Sequence, residues 1–141
     1  MNLATIIDPH PDGAVALVSR GKETTYGALR EQVSGLRGGF ARLGLEPGDR
    51  IAIAGGNNWY FVASYLAALG AGLVVVPVNP ASRPPELQRY LSVTGAKAIV
   101  VSPAAASTFG ALDRADVPDL EIVITTAGVE CEGAHVIEID D

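Results

Sequence analysis

Three features predict an α/β fold, a largely parallel sheet with helices on both faces. From residue 49 onward, short apolar runs alternate with helical patterns: strand, helix, strand, helix, strand, helix, strand. The strand runs are apolar throughout rather than alternating, as in sheets covered on both sides. Each intervening segment is long enough for the right-handed crossover that parallel strands require.

The elements follow in chain order. "AVALVS" (14–19) and "KETTY" (22–26) flank Arg20-Gly21 and read as a hairpin. Leu29, Val33, Leu36, Phe40 and Leu43 recur at spacings of four and three, the apolar stripe of an amphipathic helix, with Arg30, Glu31, Arg37 and Arg42 off it. Thr25 is its expected N-cap and Gly44 its stop. "EPGD" (46–49) is a turn that launches the strand "RIAIA" (50–54). After a Gly-Gly-Asn-Asn turn (55–58), "WYFVASYLAALG" (59–70) is Ala/Leu-rich and helical, whereas "LVVVPV" (73–78) is β-branched and reads as a strand buried on both faces. "SRPPELQRYLSVTG" (82–95) is a further helix with prolines at its start, its inner face drawn from Leu87, Tyr90, Leu91 and Thr94. "AKAIVVS" (96–102) is a strand, and Ser102-Pro103 an N-cap with its first helical residue, opening a weaker helix over 103–115. "EIVIT" (121–125) and "HVIEI" (135–139) complete the strands, and the acidic end "EIDD" reads as a solvated tail.

Composition bounds the function. The chain has 141 residues, 48% of them apolar and 18% charged, which is one domain's worth of folding sequence. A net charge of −6 with basic residues scattered singly argues against a nucleic-acid partner. Residues 51–80 carry no charged side chain, but Gly70, Gly72 and Pro77 interrupt them, which argues against a membrane span. The lone Cys131 fits a reducing compartment, and with His135 it supplies only two of the ligands a zinc site needs, so no metal ligand is assigned. The N-terminus "MNLATIIDPHPDG" lacks the basic start and long apolar run of a signal peptide, so a cytoplasmic location is expected.

The residues show no complete active site. "AGGNNW" has neither the spacing of a dinucleotide fingerprint nor the Lys and Ser/Thr of a P-loop. The plainer reading is a glycine turn with an Asn capping the next helix. None of the serines sits in a G-x-S-x-G elbow. His10 and His135 read as structural or solvated, and no catalytic residue is assigned. On residue chemistry alone, a nucleotide-binding domain using the Gly-Gly-Asn-Asn turn and a free-standing, non-catalytic interaction module both stay open.

Four phrases in order, "TTYGAL" (24–29), "GLEPGDRIAI" (44–53), "NNWYFVASYLAALGAGLVVVPVNP" (57–80) and "PELQRYLSVTGAKAIVVS" (85–102), resemble the opening segment of the adenylate-forming acyl-CoA synthetases. The resemblance implies one N-terminal subdomain of that fold. Residues 1–141 are then a single incomplete domain within a larger AMP-binding domain, without its phosphate-loop region or C-terminal domain. It implies activation of a carboxylic acid, commonly a fatty acid, by ATP with Mg²⁺ to an acyl-adenylate, then transfer to CoA. The family's Ser/Thr/Gly-rich loop ending in Pro-Lys-Gly has no counterpart here, where the lysines are Lys22 and Lys97. The chain by itself is therefore expected to be inactive, to bind ATP, Mg²⁺ and CoA weakly, and to self-associate. The resemblance places the loop "VNPASRPPEL" (78–87) near the CoA entrance, with Arg83 as a candidate partner for a CoA phosphate, and makes Trp59 and Tyr60 candidate walls of an acyl pocket.

Overall fold

A computed structural model describes residues 1–139; Asp140 and Asp141, the end of the expected acidic tail, lie outside the described residues. The chain forms two compact units, one of residues 1–48 with 57–74, the other of residues 49–56 with 75 onward.

The first unit begins with a 3-10 turn, Leu3–Ile7, whose N-cap Asn2 accepts the Ala4 N–H at 2.9 Å. Asn2 Nδ2 also donates to Leu69 O at 2.8 Å, tying the chain start to a helix end far along the sequence. Strands β1 (Val15–Ser19) and β2 (Lys22–Thr25) pair antiparallel, with Ser19 opposite Lys22. Their turn has positive φ at both central residues, 52° at Arg20 and 79° at Gly21, the combination that matches strand twist in a two-residue hairpin. Helix α1 (Tyr26–Arg42) starts where Thr25 Oγ1 accepts the Ala28 N–H at 3.2 Å. It buries Leu29, Val33 and Phe40, three positions of the predicted stripe. Helix α2 (Trp59–Gly70) packs against α1 and starts at Asn58, whose Oδ1 accepts the Phe61 N–H at 2.9 Å.

Both helices end in the same local motif. The Leu45 N–H bonds Phe40 O at 3.1 Å across left-handed Gly44, and the Leu73 N–H bonds Ala68 O at 2.9 Å across left-handed Gly72. Helix α2 ends at Gly70 as expected, and Gly72 is the residue that turns the chain out of it. A Cβ on Gly72 would also stand 3.1 Å from Pro47 Cβ.

The second unit is a five-stranded sheet in the order β4-β3-β5-β6-β7, comprising β3 (Arg50–Ala54), β4 (Val74–Val78, with Val74 in the first unit), β5 (Ala98–Val101), β6 (Ile122–Thr125) and β7 (His135–Glu138). The ladders β3–β5, β5–β6 and β6–β7 are parallel, aligning Ile53 with Val100 and Val100 with Ile124. The middle strands β5 and β6 are buried at every position, as their unbroken apolar runs predict.

Strand β4 departs from the expectation of burial on both faces. It lies at the sheet edge, with Val74 48% exposed and Pro77 exposed. Proline has no N–H for a ladder, so an edge is where a strand containing it fits. Helix α3 (Pro84–Thr94) takes Pro84 and Pro85 in its first turn, and Glu86 Oε2 accepts the Arg83 N–H at 3.0 Å. Leu87 and Leu91 face inward, but Tyr90, expected beside them, is 44% exposed. With both leucines filling that helix face, the bulky phenol turns outward.

The single helix expected over 103–115 is instead three short pieces: a 3-10 turn Pro103–Ala105, helix α4 (Ala106–Gly110) and a 3-10 turn Arg114–Asp116. Asp113 starts the last piece by accepting the Ala115 N–H at 3.0 Å, a local bond that competes with a continuous helix. The Arg114 guanidinium then donates to the carbonyls of Val117 and Leu120. One face of the sheet (Ala52, Ala54, Ile99, Val101, Val123) shares a core with Leu87, Leu91 and Phe109. No helix among the described residues is long and apolar enough to cross a membrane.

Candidate functional site

Strand order locates a candidate crevice in the second unit. From β3 the chain goes to β4 on one side of it, and β5 lies on the other, so the winding direction reverses between β3 and β5. In open α/β sheets ligands bind beyond the carboxyl ends of the strands at such a reversal. Gly55 and Gly56 follow β3 there, Ser102 follows β5, and Thr125 ends β6. The Ser102 N–H donates to Ala54 O at 3.0 Å, extending the ladder by one residue. Its side chain, expected to cap a helix, makes no such bond; Ser102 is 2% exposed and its Oγ meets no partner among the described residues. Thr125 Oγ1 accepts the Ala127 N–H at 2.9 Å, which fixes the loop after β6.

The loop after β4 is held from both ends. Asn79 Oδ1 accepts the Ala81 N–H at 2.9 Å and Asn79 O accepts the Ser82 N–H at 3.0 Å. Thr108 Oγ1 donates to Ser82 O at 3.0 Å, fastening this loop to α4. Arg83 leaves the fixed loop with its side chain 82% exposed and Nη2 3.6 Å from Glu86 Oε1. An exposed pair of that length is worth little, so Glu86 would be a weak competitor for an anionic ligand at Arg83.

The other residues singled out from sequence lie elsewhere. Trp59 and Tyr60 open α2 in the first unit, ring edge to face with centroids 5.5 Å apart; Tyr60 is 3% exposed and Trp59 half-buried. The structure thus brings these two together and keeps Arg83 in the other unit. Of the lysines, Lys22 is on the hairpin, and Lys97 pairs with Asp49 at 3.2 Å where β3 and β5 begin, the end of the sheet opposite the crevice. His10 stacks on Tyr26 with centroids 4.2 Å apart, and His135 is exposed at the start of β7.

A cavity of about 500 Å³ lies beside Phe109, Arg114, Leu120 and Cys131. It too is at the strand-start end of the sheet, since Leu120 precedes β6 and Cys131 precedes β7. Burial pushes the Cys131 thiol above its ordinary pKa, and the nearby Arg114 charge offsets part of that rise. Among the described residues no group of three or more His, Cys, Asp or Glu side chains could hold a metal ion. At this candidate crevice both hydroxyl residues, Ser102 and Thr125, are buried at 2% and 0% exposure, and the exposed guanidinium of Arg83 stands on the loop after the neighbouring strand β4. Sequence reasoning named Arg83 but gave Ser102 only a capping role and missed the Thr108–Ser82 tie, because long-range hydrogen bonds leave no local pattern.

Comparison with known proteins agrees with this architecture. The family described as AMP-binding enzyme matches residues 4–140. A feruloyl-CoA synthase of Amycolatopsis is 35% identical over 106 residues, covering 75% of this chain and 21% of that protein. A mitochondrial medium-chain acyl-CoA ligase of Pongo abelii is 36% identical over 87 residues, covering 62% of this chain and 14% of that one. Among solved structures, the anthranilate CoA ligase AuaEII in complex with anthranoyl-AMP superposes with a TM-score of 0.80 at 20% identity, covering 92% of this chain and 25% of that one. The chain thus spans between about a seventh and a quarter of the length of these proteins.

Proposed function

Because this chain belongs to the AMP-binding enzyme family, we propose that it forms the opening subdomain of an ATP-dependent acyl-CoA ligase and acts as scaffold within it. The reaction of the whole protein runs in two steps. A carboxylate oxygen attacks the α-phosphorus of ATP, forming the acyl-adenylate and releasing pyrophosphate. The CoA thiol then attacks the acyl carbon, forming the thioester, releasing AMP and giving up its proton. The observation that carries this reading is the family match over residues 4–140, on a fold shared with adenylate-forming ligases.

Two anions meet in the first step, so it needs cations and amide donors aimed at the developing charge. This chain's share is support. No group of acidic side chains among the described residues could hold Mg²⁺, so we assign the metal to residues of the whole protein outside this chain. The Gly-Gly-Asn-Asn turn is engaged in folding, since Asn58 caps α2, which favours scaffold over nucleotide cradle. Arg83, on its fastened loop, is our candidate contact for a CoA phosphate; Trp59 and Tyr60 are our candidates for flanking the acyl group.

We assign a fatty acid as the carboxylic substrate; likeness to a medium-chain ligase supports it, and likeness to a feruloyl-CoA synthase makes aryl acids the comparison class. A cytoplasmic setting is our reading from the lone thiol. The test is AMP release by the full-length protein that contains this chain, across straight-chain and aryl acids with ATP and CoA. CoA-dependent AMP formation with fatty acids is expected; no AMP with any acid would overturn the ligase reading, and aryl acids alone would overturn the substrate. For the chain by itself, calorimetric titration with ATP–Mg²⁺ should show no micromolar binding.

A further inference from the structure

A second location, in the first unit, has chemistry that the ligase reading does not use. A cavity of about 280 Å³ lies between the 3-10 turn Leu3–Ile7 and α1. Its lining includes Arg30, Ser34 and Arg37 from α1 and Ala4, Ile7 and Asp8 from the N-terminal segment. Positions 30, 34 and 37 are spaced by one and two helical turns and share one side of α1. Arg30 is committed to structure, since its guanidinium donates to Ile7 O and pairs with Asp12. Arg37 is not committed: among the described residues it makes no hydrogen bond or ion pair, and Asp8 pairs with neither arginine. Asp12 offsets Arg30, so Arg37 and Asp8 are the charges left at this cavity.

Gly70 explains how Arg37 is held. A Cβ at Gly70 would stand 2.9 Å from Arg37 Cδ and 3.0 Å from Nε, so the arginine stem lies where any larger residue would put its side chain. The glycine thus leaves room for the stem to lie beside the cavity, with Arg37 and Ser34 exposed on the same side of α1. An unpaired guanidinium with a hydroxyl about one turn away on the same helix side matches the planar, multi-acceptor edge of an oxyanion. The volume falls below the range of about 300–1,000 Å³ usual for larger ligands, which restricts the occupant to a compact one.

We propose that this cavity binds a small oxyanion, a phosphate or a short carboxylate, with Arg37 as its principal cation and Ser34 as a hydrogen-bond donor. The proposal stands independently of the ligase reading. It is tested by amide NMR titration of the full chain with inorganic phosphate in one arm and butyrate in the other, at constant ionic strength. Saturable shifts confined to residues 2–8, 30–37 and 70 are expected in at least one arm, and the arm that saturates identifies the anion class. Arg37→Met should weaken that binding by about tenfold or more, while Arg37→Lys keeps the charge and most of the affinity. Gly70→Ala should weaken it by displacing the arginine stem, and Ser34→Ala by a smaller factor. Spectra of the variants without ligand report whether each is folded. Shifts that do not saturate in either arm, or a folded Arg37→Met chain that binds as well as the parent, would overturn the proposal.

Discussion

One side-chain oxygen, Asn58 Oδ1, decides how the Gly-Gly-Asn-Asn turn is read. It accepts the Phe61 N–H and so satisfies a donor that would otherwise be open at the start of α2. Asn58→Ala should therefore cost about 1 kcal/mol, with Asn58→Asp close to neutral, measured by urea denaturation. A second residue-scale expectation concerns Cys131. Burial holds its thiol neutral to higher pH than a free cysteine, so alkylation by iodoacetamide at neutral pH should be slower in the folded chain than in urea. Arg114→Met removes the offsetting charge and should slow it further. The sign for stability follows: a raised folded-state pKa means the unfolded chain loses this proton first, so the thiol's contribution declines as pH rises through the unfolded value. The capping role of Asn58 was legible because caps act within a few residues; the Cys131 environment was not, since residues far back in the chain build it.

At the scale of elements, local signals placed nearly every boundary. Thr25, Asn58 and the Pro84-Pro85 pair start helices as their chemistry predicts. Helix α2 ends at Gly70 as its sequence predicts, and Gly72, at φ 76°, makes the turn that follows. Gly72→Ala should cost about 1–2 kcal/mol for the left-handed backbone alone, with the 3.1 Å approach to Pro47 adding to it, whereas Gly35→Ala, in open space inside α1, should stabilise. Thermal melts of the two variants, moving in opposite directions, check this. Residues 103–116 were the least legible stretch. Their composition is helical, but Asp113 caps a new turn and Arg114 spends its donors on Val117 and Leu120 carbonyls, so a tertiary arrangement overrides a weak propensity.

For the whole molecule, the exposed sheet edge is where an incoming strand would pair. Strand β4 offers a β-branched edge whose Val74 is 48% exposed, and Pro77 is the residue on it that cannot donate to an incoming strand. We expect the chain to self-associate with rising concentration, and Pro77→Val to strengthen that by supplying a ladder donor. Light scattering across a concentration series checks both; a monomer throughout would count against an open edge, and an unchanged Pro77→Val series would remove the proline from the account. The family membership places such an edge in context, since the relatives are several times longer than this chain.

By itself the sequence determined the kind and order of most elements, though not the three short pieces of residues 103–116, because periodicity, caps and turn glycines act over a few residues. It also determined the family, through the order of four phrases between residues 24 and 102. Tertiary structure alone decided the strand order β4-β3-β5-β6-β7, and with it the edge position of β4 and the reversal of winding between β3 and β5. It alone turned Tyr90 outward and laid Arg37 over Gly70. The reason is physical: strand pairing and side-chain approach are settled among residues far apart in the chain, where the competing arrangements share the same local patterns.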